Sequence, residues 1–262
     1  MRRLLTALVC SSALTAVAFT QTVVSTTVVK APRDAQAVTV MAAAITKMGS
    51  TPPSDSTASG NLQLSAGSRV ENGTLTILTR GMSETREQIS VPSGQQLFTF
   101  ADGLSSENLN GAGVARSAEI AASSQSAMFP LPLFASAYVS DDVALSYVGA
   151  ETLNGAPVTH IRFWYTQGGK SSLQYLAKLS QRDVWLDAVS GLPVRVAYTR
   201  RAGSGAVPSV AITLAFGDYR LVNGYLYPFQ IKKYVNGTLW ATITIQSVAF
   251  NTGLTAADFT LQ

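Results

Sequence analysis

Cysteine is nearly missing from this 262-residue chain: the single copy, Cys10, lies in its first apolar stretch. Once that stretch is removed, disulfides, thiolate metal sites and a cysteine nucleophile are excluded together. Stability must then come from packing. Histidine also occurs once, so any Ser-His-Asp triad or imidazole metal site would have to be built on His160. Charged residues make up only 13% of the chain, about half the usual share. The surface must be covered mainly by Ser, Thr, Asn and Gln, as suits an exported protein. Beyond the first few residues, no basic block is longer than the pairs Arg200-Arg201 and Lys232-Lys233, so nucleic acid is not an expected partner.

What is present begins with an export signal. Met1-Arg2-Arg3 supplies a positive start, Leu4 to Phe19 is almost wholly apolar or small, and Ala16-Val17-Ala18 offers a small-x-small cleavage site. The apolar run is shorter than the about 20 residues of a membrane span. Residues 1–20 therefore read as a signal peptide cut after Ala18 or a few residues later, with a retained amphipathic or membrane-anchoring segment as the rival reading. A lipidated Cys10 fits poorly, because Val9 and Ala7 stand where a lipobox has a small residue and typically Leu. Cleavage leaves 17 basic against 15 acidic residues, a net charge of +2. The expected product is periplasmic or secreted, with no transmembrane anchor.

The remainder divides into a Thr/Val-rich tail, 21–33, which reads equally as a loose end or an extra strand, and one domain, 34–262. Asp34 caps a helix whose Val38, Met41, Ile45 and Met48 recur at three- and four-residue spacing, with Gly49 ending it. A Pro/Ser/Thr-rich loop is expected from Ser50 to Gly60. Thereafter Asn-Gly pairs at Asn72-Gly73, Asn110-Gly111, Asn154-Gly155, Asn223-Gly224 and Asn236-Gly237 punctuate the chain, and such pairs are the strongest short hairpin signal. Strands are predicted near 60–66, 73–80, 84–91, 95–101, 103–109, 143–153, 156–166, 182–188, 193–201, 208–221, 225–235 and 238–250. Pro228 falls inside one of them, which predicts a bulge or an edge. Two further stretches read as helical: Ala115 to Val139, broken by Pro130 and Pro132, and Ser171 to Gln181, with Leu173, Leu176, Ala177 and Leu179 on one face. Many strands are one-sided; Leu239, Ala241, Ile243 and Ile245, for instance, alternate with Trp240, Thr242, Thr244 and Gln246. The apolar face of such a sheet must be covered, either by a second sheet or by the helices lying in its concavity.

No constellation points to catalysis. His160 alternates with Arg162 and Trp164 opposite the apolar Ile161/Phe163 face and reads as a polar-face strand residue. No cluster of His, Asp and Glu has metal-ligand spacing, and neither a G-x-S-x-G elbow nor an S-x-x-K motif occurs. Gly168-Gly169-Lys170-Ser171 lacks the first glycine of a phosphate loop, Trp164 standing in its place. Asp183 and Asp187 flank Trp185 and suggest a glycosidase pair, but Asp187-Ala-Val-Ser-Gly191 reads more simply as a turn, with Asp183 opening the strand before it. No cofactor and no metal is expected.

The segment Asp183-Val-Trp-Leu-Asp-Ala-Val-Ser-Gly-Leu-Pro-Val-Arg-Val-Ala-Tyr198, followed by Phe216-Gly-Asp-Tyr-Arg220, Pro228-Phe-Gln-Ile231, Val248-Ala-Phe-Asn-Thr-Gly-Leu254 and Asp258-Phe259, resembles the outer-membrane lipoprotein carrier family (LolA/LolB-like). The likeness is best from about Asp142 onward, and the opening helix ending Lys47-Met-Gly49 shares it. The resemblance implies a mainly β fold, a strongly curved antiparallel sheet or incomplete barrel with helices plugging the concave face. It also implies a lipid-like acyl ligand and no reaction. The walls of a ligand cavity are then expected from the apolar alternation: Leu75, Ile77, Phe98, Phe100, Ile161, Phe163, Leu214, Phe216, Ile243 and Ile245. The alternative is an envelope module that binds another protein.

Overall fold

The computed structural model of the chain describes residues 30–116, 126–201 and 209–260. Their strands are β1 Asp55–Ala66, β2 Arg69–Arg80, β3 Glu84–Val91, β4 Gly94–Ala101, β5 Leu104–Leu109, β6 Ala112–Arg116, β7 Val143–Leu153, β8 Ala156–Tyr165, β9 Arg182–Asp187, β10 Pro193–Arg201, β11 Ser209–Val222, β12 Tyr225–Val235 and β13 Thr238–Phe250. The helices are α1 Ala35–Met48, α2 Pro130–Val139 and the short α3 Gln174–Leu179. All thirteen strands form one antiparallel sheet in the order β6-β5-β4-β3-β2-β1-β13-β12-β11-β10-β9-β8-β7. The expected signal peptide and Cys10 lie outside the described residues.

Four of the five Asn-Gly pairs turn the chain. Asn110-Gly111, Asn154-Gly155, Asn223-Gly224 and Asn236-Gly237 have positive φ at both positions, the backbone of a two-residue hairpin whose twist matches that of its strands. The fifth does not. Asn72-Gly73 lies inside β2, and the β1–β2 turn is made at Gly67, φ +62°. Gly73 serves a close approach instead: a β-carbon there would stand 2.1 Å from the carbonyl oxygen of Ser90 on β3.

β1 also starts earlier than its composition suggests, at Asp55 rather than within a loop ending at Gly60. Ser56, Ala58 and Ser59 are weak strand formers, but they pair with β2 on one side and β13 on the other, and two ladders override propensity. The helical reading of 115–139 is corrected likewise. Ala115 and Arg116 belong to β6, 117–125 lie outside the described residues, and α2 begins at Pro130 instead of being broken there. Proline suits a first helical turn, where the N–H it lacks would have no partner. The 171–181 stretch forms a 3₁₀ turn followed by the six residues of α3. At Pro228 the sheet behaves as an edge: β12 is paired there with β11 alone, its ladder to β13 beginning at Gln230.

The sheet is open, since β6 and β7 are its ends. Backbone of residues 31–34 lies along the free edge of β7, with Leu145 N–H donating to Pro32 O at 3.0 Å and Asp34 N–H to Leu145 O at 2.9 Å. Strong curvature is proved by a side-chain pair: Arg200 on β10 lies 3.4 Å from Glu107 on β5 although seven strands separate them in the sheet. The concave face carries the core. α1, capped by Asp34, whose carboxylate accepts from the N–H groups of Gln36 and Ala37, buries Ala37, Met41, Ala44, Ile45 and Met48 against it. α2 is apolar nearly all round and contributes Leu131, Leu133 and Phe134, the last meeting Phe163 of β8 edge-on at 6.3 Å between ring centres. A helix of that composition is stable only when buried.

Candidate concave binding site

Helix cover is incomplete where the two arms of the sheet approach one another. A half-open cleft of about 270 Å³ lies there, with Glu87, Ile89, Phe98 and Glu107 from β3–β5 on one wall and Arg200, Ile212, Lys233 and Trp240 from β10–β13 on the other. Register explains the lining. Ile77, Glu87, Phe98 and Glu107 stand directly opposite one another across β2–β5, so all share the inner face of the core residue Ile77. Tyr198, Ile212 and Val235 form a second inward row, and Leu214, Lys233 and Ala241 a third.

Trp240 enters the cleft through a bulge. The β12–β13 ladder steps from Lys233 opposite Ala241 to Tyr234 opposite Leu239, leaving Trp240 without a partner. Strict alternation puts this ring on the outer face with Thr242; the extra residue turns it inward, where it lines the cleft.

The charges on this otherwise apolar face are held individually. Arg200 pairs with Glu107 and lies with its guanidinium carbon 5.0 Å from the Phe98 ring centre. Ser126 donates its hydroxyl to Glu87. Lys233 Nζ is 4.7 Å from the Trp240 ring centre, and loss of solvent lowers its pKa. Arg182 is fully buried, its guanidinium carbon 4.4 Å from the Tyr198 ring centre and Nη1 donating to the carbonyls of Leu179 and Gln181. Burial brings its pKa down to about 10 and pushes the Tyr198 hydroxyl up to about 12. The buried Tyr227 hydroxyl has no hydrogen-bond partner among the described residues, and burial raises its pKa strongly.

Of the ten residues expected to line a cavity, Leu75, Ile77, Ile161, Phe163, Leu214, Phe216, Ile243 and Ile245 come together in the buried core against α1 and α2. Phe100 is buried on the same inner face outside that cluster, and Phe98 is half-buried in the cleft wall. Above the core, a surface groove of about 430 Å³ runs between α1 and α2 past Ile45, Pro52, Ala135 and Val139. The inward charges were missed by sequence reasoning, although a signal existed. Lys233 falls in the inward series Tyr227, Phe229, Ile231, and Arg200 in the series Val196, Tyr198, so one member of each basic pair has to face the interior.

His160 sits on the outer face, opposite Ile161 and Phe163, as its alternation predicts, but it is neither exposed nor without partners. It is 5% exposed, stacked on Trp185 at 4.2 Å between ring centres, with Nδ1 2.7 Å from Glu151 Oε1 and Nε2 2.9 Å from Asp183 Oδ1. Trp185 Nε1 donates to Glu151 at 2.7 Å, and this bond, with that from His160, holds the Glu151 carboxyl below its ordinary range. Arg162 Nε donates to Asp183 at 2.7 Å. A stacked ring locked between two carboxylates fits a cross-strand clasp joining β7, β8 and β9. Asp183 and Asp187 are four strand residues apart, about 13 Å, too far for the carboxyl spacing of a glycosidase. Asp187 instead accepts from the N–H groups of Val189 and Ser190, forming the expected turn. Among the described residues no group of His, Cys, Asp and Glu is arranged to hold a metal ion, and no helix is long and apolar enough to cross a membrane.

No family model matches the sequence, and no curated protein does. Solved structures match the fold. A LolA superfamily protein from Nitrosomonas europaea is 12% identical, with a TM-score of 0.55 over 86% of this chain and 97% of its own. A candidate outer membrane lipoprotein-sorting protein domain from Vibrio parahaemolyticus is 16% identical, with a TM-score of 0.53 over 86% of this chain and 96% of its own. A DUF1329 family protein from Desulfovibrio piger is 13% identical, with a TM-score of 0.54 over 86% and 97%. Likeness at such low identity is a likeness of backbone, and it agrees with the curved sheet, its open edges and its helix-covered hollow: the chain has a LolA-like fold.

Proposed function

We infer that the protein is a non-enzymatic binding or carrier protein of the bacterial cell envelope, which takes a lipid-like ligand on the concave side of its sheet. The observation that carries this reading is the cleft of about 270 Å³ left where the arms of the sheet approach, on a face that is otherwise apolar. Apolar hollows with a few convergent polar groups are the usual form of small-ligand sites, and this one stands near the lower limit of their volumes, roughly 300 Å³. Phe98 would lie against the ligand directly. The other nine candidates, Leu75 to Ile245, would form the deeper bed into which an acyl chain extends if α1 and α2 part along their groove. The description of the Vibrio relative as lipoprotein-sorting supports the ligand class, and the signal peptide expected from the sequence supports the compartment.

Native mass spectrometry of the protein purified from a bacterial envelope tests the reading. Acyl-chain species should copurify and be displaced by a hydrophobic dye. A consistently empty protein that leaves the dye's emission unchanged would overturn it.

A further inference from the structure

Four charged side chains face the cleft, and three of them are already engaged. Glu107 is paired with Arg200, Arg200 is also stacked on Phe98, and Glu87 accepts the Ser126 hydroxyl. Lys233 differs: its ammonium lies over Trp240 and donates to no acceptor among the described residues. Glu87 and Glu107 act on it only from beyond contact distance, a half-buried ammonium that no acceptor touches is costly, and it borders an apolar wall made by Ile89, Phe98, Val210, Ile212 and Val235.

We propose that the cleft is the subsite for the anionic head, a carboxylate or phosphate, of a single-chain amphiphile, with Lys233 as counter-ion and the apolar wall as the bed of its chain. The proposal rests on the lipid-binding reading above and narrows it. A cationic head finds no vacancy, because Lys233 and Arg200 already cover the Trp240 and Phe98 faces on which it would stack. A neutral head would leave the ammonium desolvated and unpaired, whereas an anion offsets that cost with a charge-assisted hydrogen bond. The volume of about 270 Å³ suits one chain better than the several chains of a complex lipid.

Calorimetric titration of the delipidated protein with dodecanoate, dodecyl phosphate, dodecanol and dodecyltrimethylammonium tests this. Trp240 fluorescence reports on the cleft. Both anions should bind at least about tenfold more tightly than the alcohol or the cation, as a hydrogen bond to a charged group predicts. Lys233→Met should remove that preference by weakening both anions at least about tenfold, and Lys233→Arg should keep it. Equal affinity for dodecanoate and dodecanol in the unaltered protein, a comparison that needs no variant, would overturn the head-group proposal alone. Anion binding by Lys233→Met at unaltered strength would do the same. Failure of all four probes to bind would overturn the lipid-binding reading with it.

Discussion

Asp55, at the start of β1, is 3% exposed, yet its carboxylate collects bonds from Thr252 N–H at 2.6 Å, Thr252 Oγ1 at 2.7 Å, Gly253 N–H at 3.0 Å and Ser54 Oγ at 3.2 Å. Burial alone would raise its pKa, but the bonds to Thr252, Gly253 and Ser54 outweigh burial and hold it below the usual 3.8. A carboxyl depressed in the folded state contributes stability that is complete above its unfolded pKa and is lost as pH falls through the folded value. Asp55→Asn should therefore melt earlier at neutral pH, by about 2 kcal/mol, and the gap between variant and parent should narrow in thermal melts taken below pH 3.8. A gap that stayed constant with pH would remove the carboxylate from this role. Trp240 is the other residue whose placement departs from its local pattern, and it does so through one unpaired position in a ladder.

At the scale of elements, α2 covers the core. Its Phe134 is fully buried and meets Phe163 at the centre of the helix-to-sheet contact. Phe134→Ala should cost about 3–5 kcal/mol through lost burial and the cavity left behind, measured by denaturant unfolding; a loss under about 1 kcal/mol would mean that α2 packs loosely. Turns and helix ends were legible in the sequence because they are local chemistry. Asp34 caps α1 and Gly49 ends it, and four Asn-Gly pairs turn hairpins. Asn72-Gly73 misled because glycine answers two needs, a left-handed turn or a close neighbour, and only the position of Ser90 shows which applies. Pro130 misled because a proline that breaks a helix and one that starts it have the same sequence signature until the start is known.

The described strands form a single sheet rolled until its arms approach, and the ligand response of the whole molecule should be global. A ligand bound across β3–β5 and β10–β13 joins strands that are remote in the sheet, so dodecanoate at a hundredfold excess over its dissociation constant should stabilise the fold by about 2.7 kcal/mol. Differential scanning calorimetry should show one transition moving upward as a unit; an unmoved transition at saturating dodecanoate would count against binding within the fold. The candidate cavity residues were read from alternation, which reports only that a side chain faces inward. Alternation could not say that eight of them pack under α1 and α2 while Phe98 borders open space.

By itself the sequence determined twelve of the thirteen described strands, most turns, the antiparallel neighbours and the inward or outward face of most residues, because each depends on backbone preference and side-chain polarity within a few positions. Only the tertiary structure decided how far the sheet curls, where α2 begins, and that Trp240, Lys233, Arg200 and Glu107 share a cleft. Arg200 and Glu107 are 93 residues apart. Their meeting follows from curvature accumulated over many strands and bulges and from helices packed inside, and no local pattern encodes that sum.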